Sequence, residues 1–217
     1  EPKQAEKFQA AARQYGVAVP SMAMSGFFAQ SFLTRDNYQD LLKDCFQTMK
    51  LFGSKVAFLP LGGSGKDWQQ EGCTAYQQMV SRLRTAGEMA KQEGITIGIR
   101  TGMGAKFDKK LLKKVGSSQI KVYYNFQDAA DHHRDICKEL RKLGAQRIVQ
   151  IHVSNTDSVN LQEDPEINLP KIRKTLDKMK WSGWLVVERS RDVKRVRDVK
   201  YNFGRNIAYL KQVFQER

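Results

Sequence analysis

Arg100, Asn125, His152 and Glu188 close four short β-rich runs, Ile95 to Arg100, Ile120 to Asn125, Arg147 to His152 and Trp184 to Glu188. A guanidinium, an amide, an imidazole and a carboxylate can together hold an anion, orient a carbonyl and move a proton. Residues this far apart in sequence can act together if their strands run parallel and open onto one face, as the C-terminal strand ends of a parallel α/β barrel do. Gln127, Asp157, Arg189 and Arg191 follow three of these runs closely, in loops that would rim the same pocket.

The elements that must position these groups alternate along the chain. Helical spacing of apolar residues occurs near Lys3 to Gln14, Asp36 to Phe52, Thr74 to Glu93, Phe107 to Val115, Asp131 to Leu143, Leu169 to Met179 and Val199 to Gln215. Two further β-rich runs, Val17 to Met22 and Lys55 to Leu59, complete the alternation. Gly16, Gly53, Gly94, Gly116, Gly144 and Gly183 fall just after a helix or in the link to the next strand, where left-handed caps are favoured. Strict helix-strand alternation implies a parallel sheet with right-handed crossovers, hence a barrel or a doubly wound sheet. No GxGxxG follows an early strand, which disfavours the dinucleotide-binding version. A barrel needs eight strands and six runs are visible, so we expect a single (β/α) barrel domain over 1–217 that supplies the third to eighth strands. A natural segment of roughly 50 residues, two βα units, is expected to precede it.

Composition narrows the class. The chain has 217 residues, 41% of them hydrophobic, enough for one domain with a sizeable core. No apolar run approaches the roughly 20 residues that span a bilayer, and no membrane role is expected. Cys45, Cys73 and Cys137 are widely spaced, with no CxxC, so neither a disulfide scaffold nor a zinc knuckle is indicated. Cys45 and Cys137 lie in helical patterns and read as small buried residues. The net charge of +14 raises the question of nucleic acid. Basic residues, however, are spread over the whole chain with acids beside them, and no aromatic residue interleaves the dense stretch from Arg189 to Lys200. A solvated basic surface without a nucleic-acid partner is the expectation.

Three features invite sharper readings. Leu61-Gly62-Gly63-Ser64-Gly65-Lys66-Asp67 resembles a phosphate loop, but Pro60 and Asp67 stand where that pattern needs Gly and Ser or Thr. A loop offering amides or Lys66 to an anionic substrate is the safer reading. Asp131-His132-His133 reads as a helix start rather than a metal site, because adjacent helical residues diverge by about 100°. Met22, Met24, Phe27, Phe28 and Phe32 would form an apolar wall over a ligand, core, or a contact with a second copy.

Three stretches carry a family resemblance: Lys91-Gln92-Glu93-Gly94-Ile95-Thr96-Ile97, Ile148-Val149-Gln150-Ile151-His152-Val153-Ser154-Asn155, and Trp181-Ser182-Gly183-Trp184-Leu185-Val186-Val187-Glu188. On these the chain resembles the xylose isomerase-like TIM-barrel family of sugar phosphate isomerases and epimerases, from about Val17 to Phe214. In metal-dependent relatives the equivalent strand ends carry Glu, Asp, His and Glu around one divalent ion; here they carry Arg100, Asn125, His152 and Glu188. The family's His-x-x-Asp pattern also becomes His152-Val153-Ser154-Asn155, which makes Asn155 a substrate contact by resemblance. A guanidinium about 4 Å from a divalent ion would be repelled by about 8 kcal/mol at an effective dielectric near 20.

The resemblance therefore implies a sugar isomerase or epimerase, acting on a carbohydrate or sugar acid, whose usual metal site is degenerate. No cofactor is expected; the alternative is one divalent metal on His152, Glu188 and Asn125. In the metal-free version Glu188 is the base, His152 a second acid or base, and Arg100 the cation facing an oxyanion, while Asn125, Gln127, Asn155, Asp157, Arg189, Arg191 and Lys66 bind substrate. The competing reading is a carbohydrate-binding or catalytically silent barrel in which Arg100 and Glu188 form an ion pair. An endonuclease-like activity is disfavoured because three histidines cannot fill the trinuclear zinc site of those relatives. A homodimer would be unsurprising. The cysteine usage leans towards a reducing, cytoplasmic setting, with an export signal conceivable in the expected N-terminal segment.

Overall fold

The computed structural model of the protein describes residues 2–61, 66–153 and 157–216. It divides into two compact units, Glu1–Thr101 with Leu111–Lys121, and Gly102–Lys110 with Val122–Arg217. Six parallel strands are described, and the helices α1 to α9 lie between and around them in sequence.

The first unit opens with α1 (Pro2–Gln14), β1 (Ser21–Ala23), α2 (Gly26–Ala29) and α3 (Tyr38–Phe52). β2 (Val56–Pro60), α4 (Thr74–Gln92) and β3 (Thr96–Arg100) follow. β2 pairs in parallel with β1 on one side, Ser21 opposite Val56, and with β3 on the other, where Pro60 stands opposite Arg100. All five residues of β2 are buried, as expected of a parallel strand covered on both faces. α4 sheds water through Tyr76, Met79, Val80, Leu83, Ala86, Gly87 and Ala90, a stripe at helical spacing. Its N-terminus is capped by Cys73, whose Sγ accepts from the Tyr76 amide at 3.3 Å. Gly53 ends α3 with φ of 67°, the left-handed geometry in which its amide reaches back into the last turn.

α5 (Ala105–Val115) contributes residues to each unit. The second unit continues with β4 (Ile120–Asn125), α6 (Phe126–Ala130), α7 (Ile136–Leu143), β5 (Ile148–His152), α8 (Leu169–Lys178), β6 (Trp184–Val186) and α9 (Val199–Phe214). β5 pairs in parallel with β4 and with β6. α7 buries Ile136, Cys137, Leu140 and Leu143, and Glu139 leaves its surface to bind the first turn of α5, accepting from the Ala105 amide at 2.6 Å. Arg134 ties the same corner, donating to the carbonyls of Gly102 and Asp128.

Several local expectations change. Residues 17–20 form a connector and β1 begins at Ser21; Val17 is 59% exposed, and its amide closes the end of α1 on the Ala12 carbonyl. Asp131, His132 and His133 do not start a helix. They form the turn that ends α6, with His133 at φ of 51°, and Asp135 caps α7 through the Lys138 amide. β6 stops at Val186, so Glu188 sits in the following loop. Gly183 is no left-handed cap: a Cβ there would come 2.6 Å from the Trp181 ring, whose Nε1 donates to the Ile148 carbonyl at 3.0 Å. The aromatic cluster after β1 is mostly core. Phe27 and Phe32 are buried edge to face, and Phe32 meets Tyr38 in the same way, leaving Phe28 half-exposed.

Among the described residues no helix is long and apolar enough to cross a membrane.

Candidate functional site

Strand register assembles the site in the second unit. Asn125 at the end of β4 stands opposite His152 at the end of β5, which stands opposite Val186 at the end of β6. One β residue alternates with the next across the sheet, so Tyr123, two before Asn125, shares its face. Its ring packs against the His152 imidazole at 4.4 Å between centroids and 53° between planes. Asn125 and His152 are both buried, at 3% and 6% exposure.

Asn125 does two jobs. Its Oδ1 accepts from the Gln127 amide at 2.8 Å, which caps α6. That bond turns the amide nitrogen towards His152, where Nδ2 lies 3.4 Å from Nδ1. An amide nitrogen can only donate, so the neutral imidazole accepts at Nδ1 and keeps its proton on Nε2. The Glu188 carboxylate lies 3.7 Å from the same Nδ1, within ion-pair range of a protonated imidazole and longer than a hydrogen bond. The Glu188 side chain is 47% exposed, so this pair has one buried member and one that solvent and ligand can reach.

The rim residues sort differently. Asp157 and Arg191 engage each other: Nε donates to Oδ1 at 3.0 Å, the terminal nitrogen to Oδ2 at 2.5 Å, and the Arg191 amide to Oδ1 at 3.3 Å. These bonds hold the Asp157 carboxyl below the usual aspartate range, against the opposing effect of burial. Arg189 is exposed next to this pair. Gln127 is half-buried in the first turn of α6. Arg100 ends β3 in the first unit, half-buried, with its carbonyl accepting from the Leu61 amide at 2.8 Å. The Lys66 side chain and Asn155 lie outside the described residues, as does the glycine run before Lys66.

Sequence reasoning passed over Tyr123, although its two-residue offset from Asn125 was a usable signal. It also passed over Asn160, Asn202 and Asn206, which are buried around the Glu188 loop and carry no local motif. Among the described residues no group of three or more His, Cys, Asp and Glu side chains is placed to hold a metal ion.

A family description, xylose isomerase-like TIM barrel, matches residues 1–213. The chain is 23% identical over 236 residues to an inosose dehydratase of Mesomycoplasma hyopneumoniae, across 92% of this chain and 77% of that protein. A D-psicose 3-epimerase from Clostridium cellulolyticum, solved with D-tagatose, superposes with a TM-score of 0.79 at 13% identity, covering 98% of this chain and 84% of that one. An AP endonuclease, family 2, from Brucella melitensis gives 0.74 at 14% identity over 91% and 82%. At such identities the structural likeness speaks for the fold alone, a parallel (β/α) TIM-barrel fold.

Proposed function

Since the chain belongs to the xylose isomerase-like TIM-barrel family, we propose that it is a sugar isomerase or epimerase, acting on a carbohydrate or sugar acid through proton transfer at His152 and Glu188. The observation that carries this reading is the buried imidazole of His152, fixed by Asn125 and Tyr123 with the accessible Glu188 carboxylate 3.7 Å away. The relatives' names, an inosose dehydratase and sugar epimerases, support a substrate of this class.

Glu188 is the base that takes the proton from the carbon beside a carbonyl. His152 gives a proton to the carbonyl oxygen as negative charge develops there, and the imidazole regains a proton as the enediol collapses, from the neighbouring hydroxyl for isomerisation or from the same oxygen for epimerisation. Glu188 returns its proton to the neighbouring carbon to complete isomerisation; in epimerisation water on the opposite face protonates the same carbon and Glu188 releases its proton to solvent. For Arg100 the assignment as an oxyanion or carboxylate contact rests on the strand-end pattern of the sequence, and a fully active Arg100→Met would remove it. Arg189, Gln127, Asn155 and Lys66 are proposed substrate contacts on the same pattern, with Asp157 and Arg191 acting as a joined pair that shapes the rim.

Metal-dependent members of the family place a divalent ion at these strand ends. The donor set here does not fit that ion well. His152 and Glu188 give two ligands where such sites use three or four, and the Asn125 nitrogen already faces His152 Nδ1. The test is exchange of solvent deuterium into a panel of ketoses and sugar acids, followed by NMR. Incorporation that disappears in Glu188→Gln supports the reading. Sugar binding with no incorporation replaces it with a carbohydrate-binding barrel.

A further inference from the structure

We propose that three buried asparagines, Asn160, Asn202 and Asn206, are positioning residues that determine where Glu188 stands relative to His152; the inference rests on the His152 and Glu188 reading above. Glu188 is the one member of the pair outside regular structure, two residues beyond the end of β6. Its backbone needs other anchors. On the strand side the Val186 carbonyl accepts from the Val153 amide at 2.9 Å. On the loop side the anchor is Ser190, which is fully buried and holds φ at 68°, a left-handed conformation that side chains other than glycine adopt rarely.

Two amides hold that turn. The Ser190 carbonyl accepts from Asn206 Nδ2 at 2.8 Å and from Asn160 Nδ2 at 3.2 Å. Asn206 comes from α9, and its Oδ1 also accepts from the Leu161 amide at 2.9 Å. Asn202, one turn earlier on α9, takes the next stretch of loop. Its Oδ1 accepts from the Asp192 amide at 2.9 Å and from Asn160 Nδ2 at 3.0 Å, while its Nδ2 donates to the Arg195 and Asp198 carbonyls. All three asparagines are at most 1% exposed. Only Val187, Glu188 and Arg189 remain between the Val186 and Ser190 anchors. A buried amide network of this kind admits one arrangement of the backbone it satisfies, because any shift strands a polar group away from water.

Asn160→Ala is the gentle test. Ser190 keeps Asn206 as donor, Asn202 keeps the Asp192 amide, and the lost Asn160 Oδ1 has no hydrogen-bond partner of its own. The protein has three histidines, so the imidazole nitrogen resonances of His152 can be assigned by comparison with His132→Gln and His133→Gln. Glu188→Gln first establishes how the His152 Nδ1 and Nε2 shifts respond to loss of the carboxylate. The expected result is that Asn160→Ala moves them in the same direction, Asn206→Ala moves them further, and amide exchange over residues 188–192 rises roughly fivefold in Asn160→Ala, the weight of about one neutral hydrogen bond. A changed spectrum in Glu188→Gln with unchanged His152 shifts in a folded Asn160→Ala overturns the proposal alone. No change in Glu188→Gln overturns the His152 and Glu188 reading and this proposal with it.

Discussion

Removing the Glu139 carboxylate should loosen the corner between α7 and the first turn of α5, and its size can be worked from the geometry. Glu139 Oε2 accepts from the Ala105 amide at 2.6 Å, and the side chain is 13% exposed. A hydrogen bond between an ionised acceptor and a largely buried backbone donor contributes about 1.5–3 kcal/mol, and in Glu139→Ala the Ala105 amide is left without that acceptor. The Arg134 Nε, 3.7 Å from the same oxygen, loses its counter-charge, although its terminal nitrogen keeps the Gly102 and Asp128 carbonyls. Glu139→Gln retains an acceptor of the same shape and gives up the charge, so it should cost less than half as much. With a denaturant slope of about 2 kcal/mol/M in urea, the alanine variant should unfold about 1 M earlier, and the glutamine variant less than half of that. Hydrogen exchange at Ala105 should rise in the alanine variant before global unfolding does. An alanine midpoint within about 0.2 M of the parent, or a glutamine variant as damaged as the alanine one, would refute the assignment of the α5 cap to this carboxylate.

Gly87→Ala in α4 would gain helix propensity, yet its Cβ would lie 2.4 Å from Ser117 Oγ and 2.8 Å from Ser117 Cβ, so a lowered thermal midpoint is expected, recovered in part by Ser117→Gly. Trp181→Phe removes the donor to the Ile148 carbonyl and should cost about 1 kcal/mol, measured by urea denaturation. Asp157 has its folded pKa depressed by Arg191, so the stability it contributes is present above the unfolded pKa of about 3.9 and is lost as pH falls through the lower folded value. Stability profiles of the parent and Asp157→Asn should accordingly converge in acid and separate above about pH 4. The Cys45 thiol is pushed up to about 11 by burial, and thiol-specific reagents at pH 8 should label it slowly in the folded protein and readily in denaturant.

The elements were largely legible because each is set by short-range pattern. β4 begins at Ile120 and ends at Asn125 as its apolar run predicts, and α4 begins at Thr74 where its stripe begins. Misreadings fall where a local signal has two outcomes. Asp131 looks like a helix cap, but Asp135 four residues later takes that role, because the chain must first close α6 through His133. Gly183 looks like a helix stop and is instead the space into which Trp181 packs.

The resemblance of three stretches to a known family aside, residue type and spacing by themselves pointed to an alternating α/β chain and to the polar strand ends Asn125 and His152. These follow from period-two and helical patterning, which the backbone imposes on any nearby sequence. Only the tertiary structure decided that the Asn125 nitrogen faces His152, that Asp157 and Arg191 satisfy each other, and that asparagines on α9 hold the turn after Glu188. Each of these is a contact between residues more than ten positions apart. Which donor meets which acceptor at that range is set by how buried polar groups find partners once the strands and helices have packed.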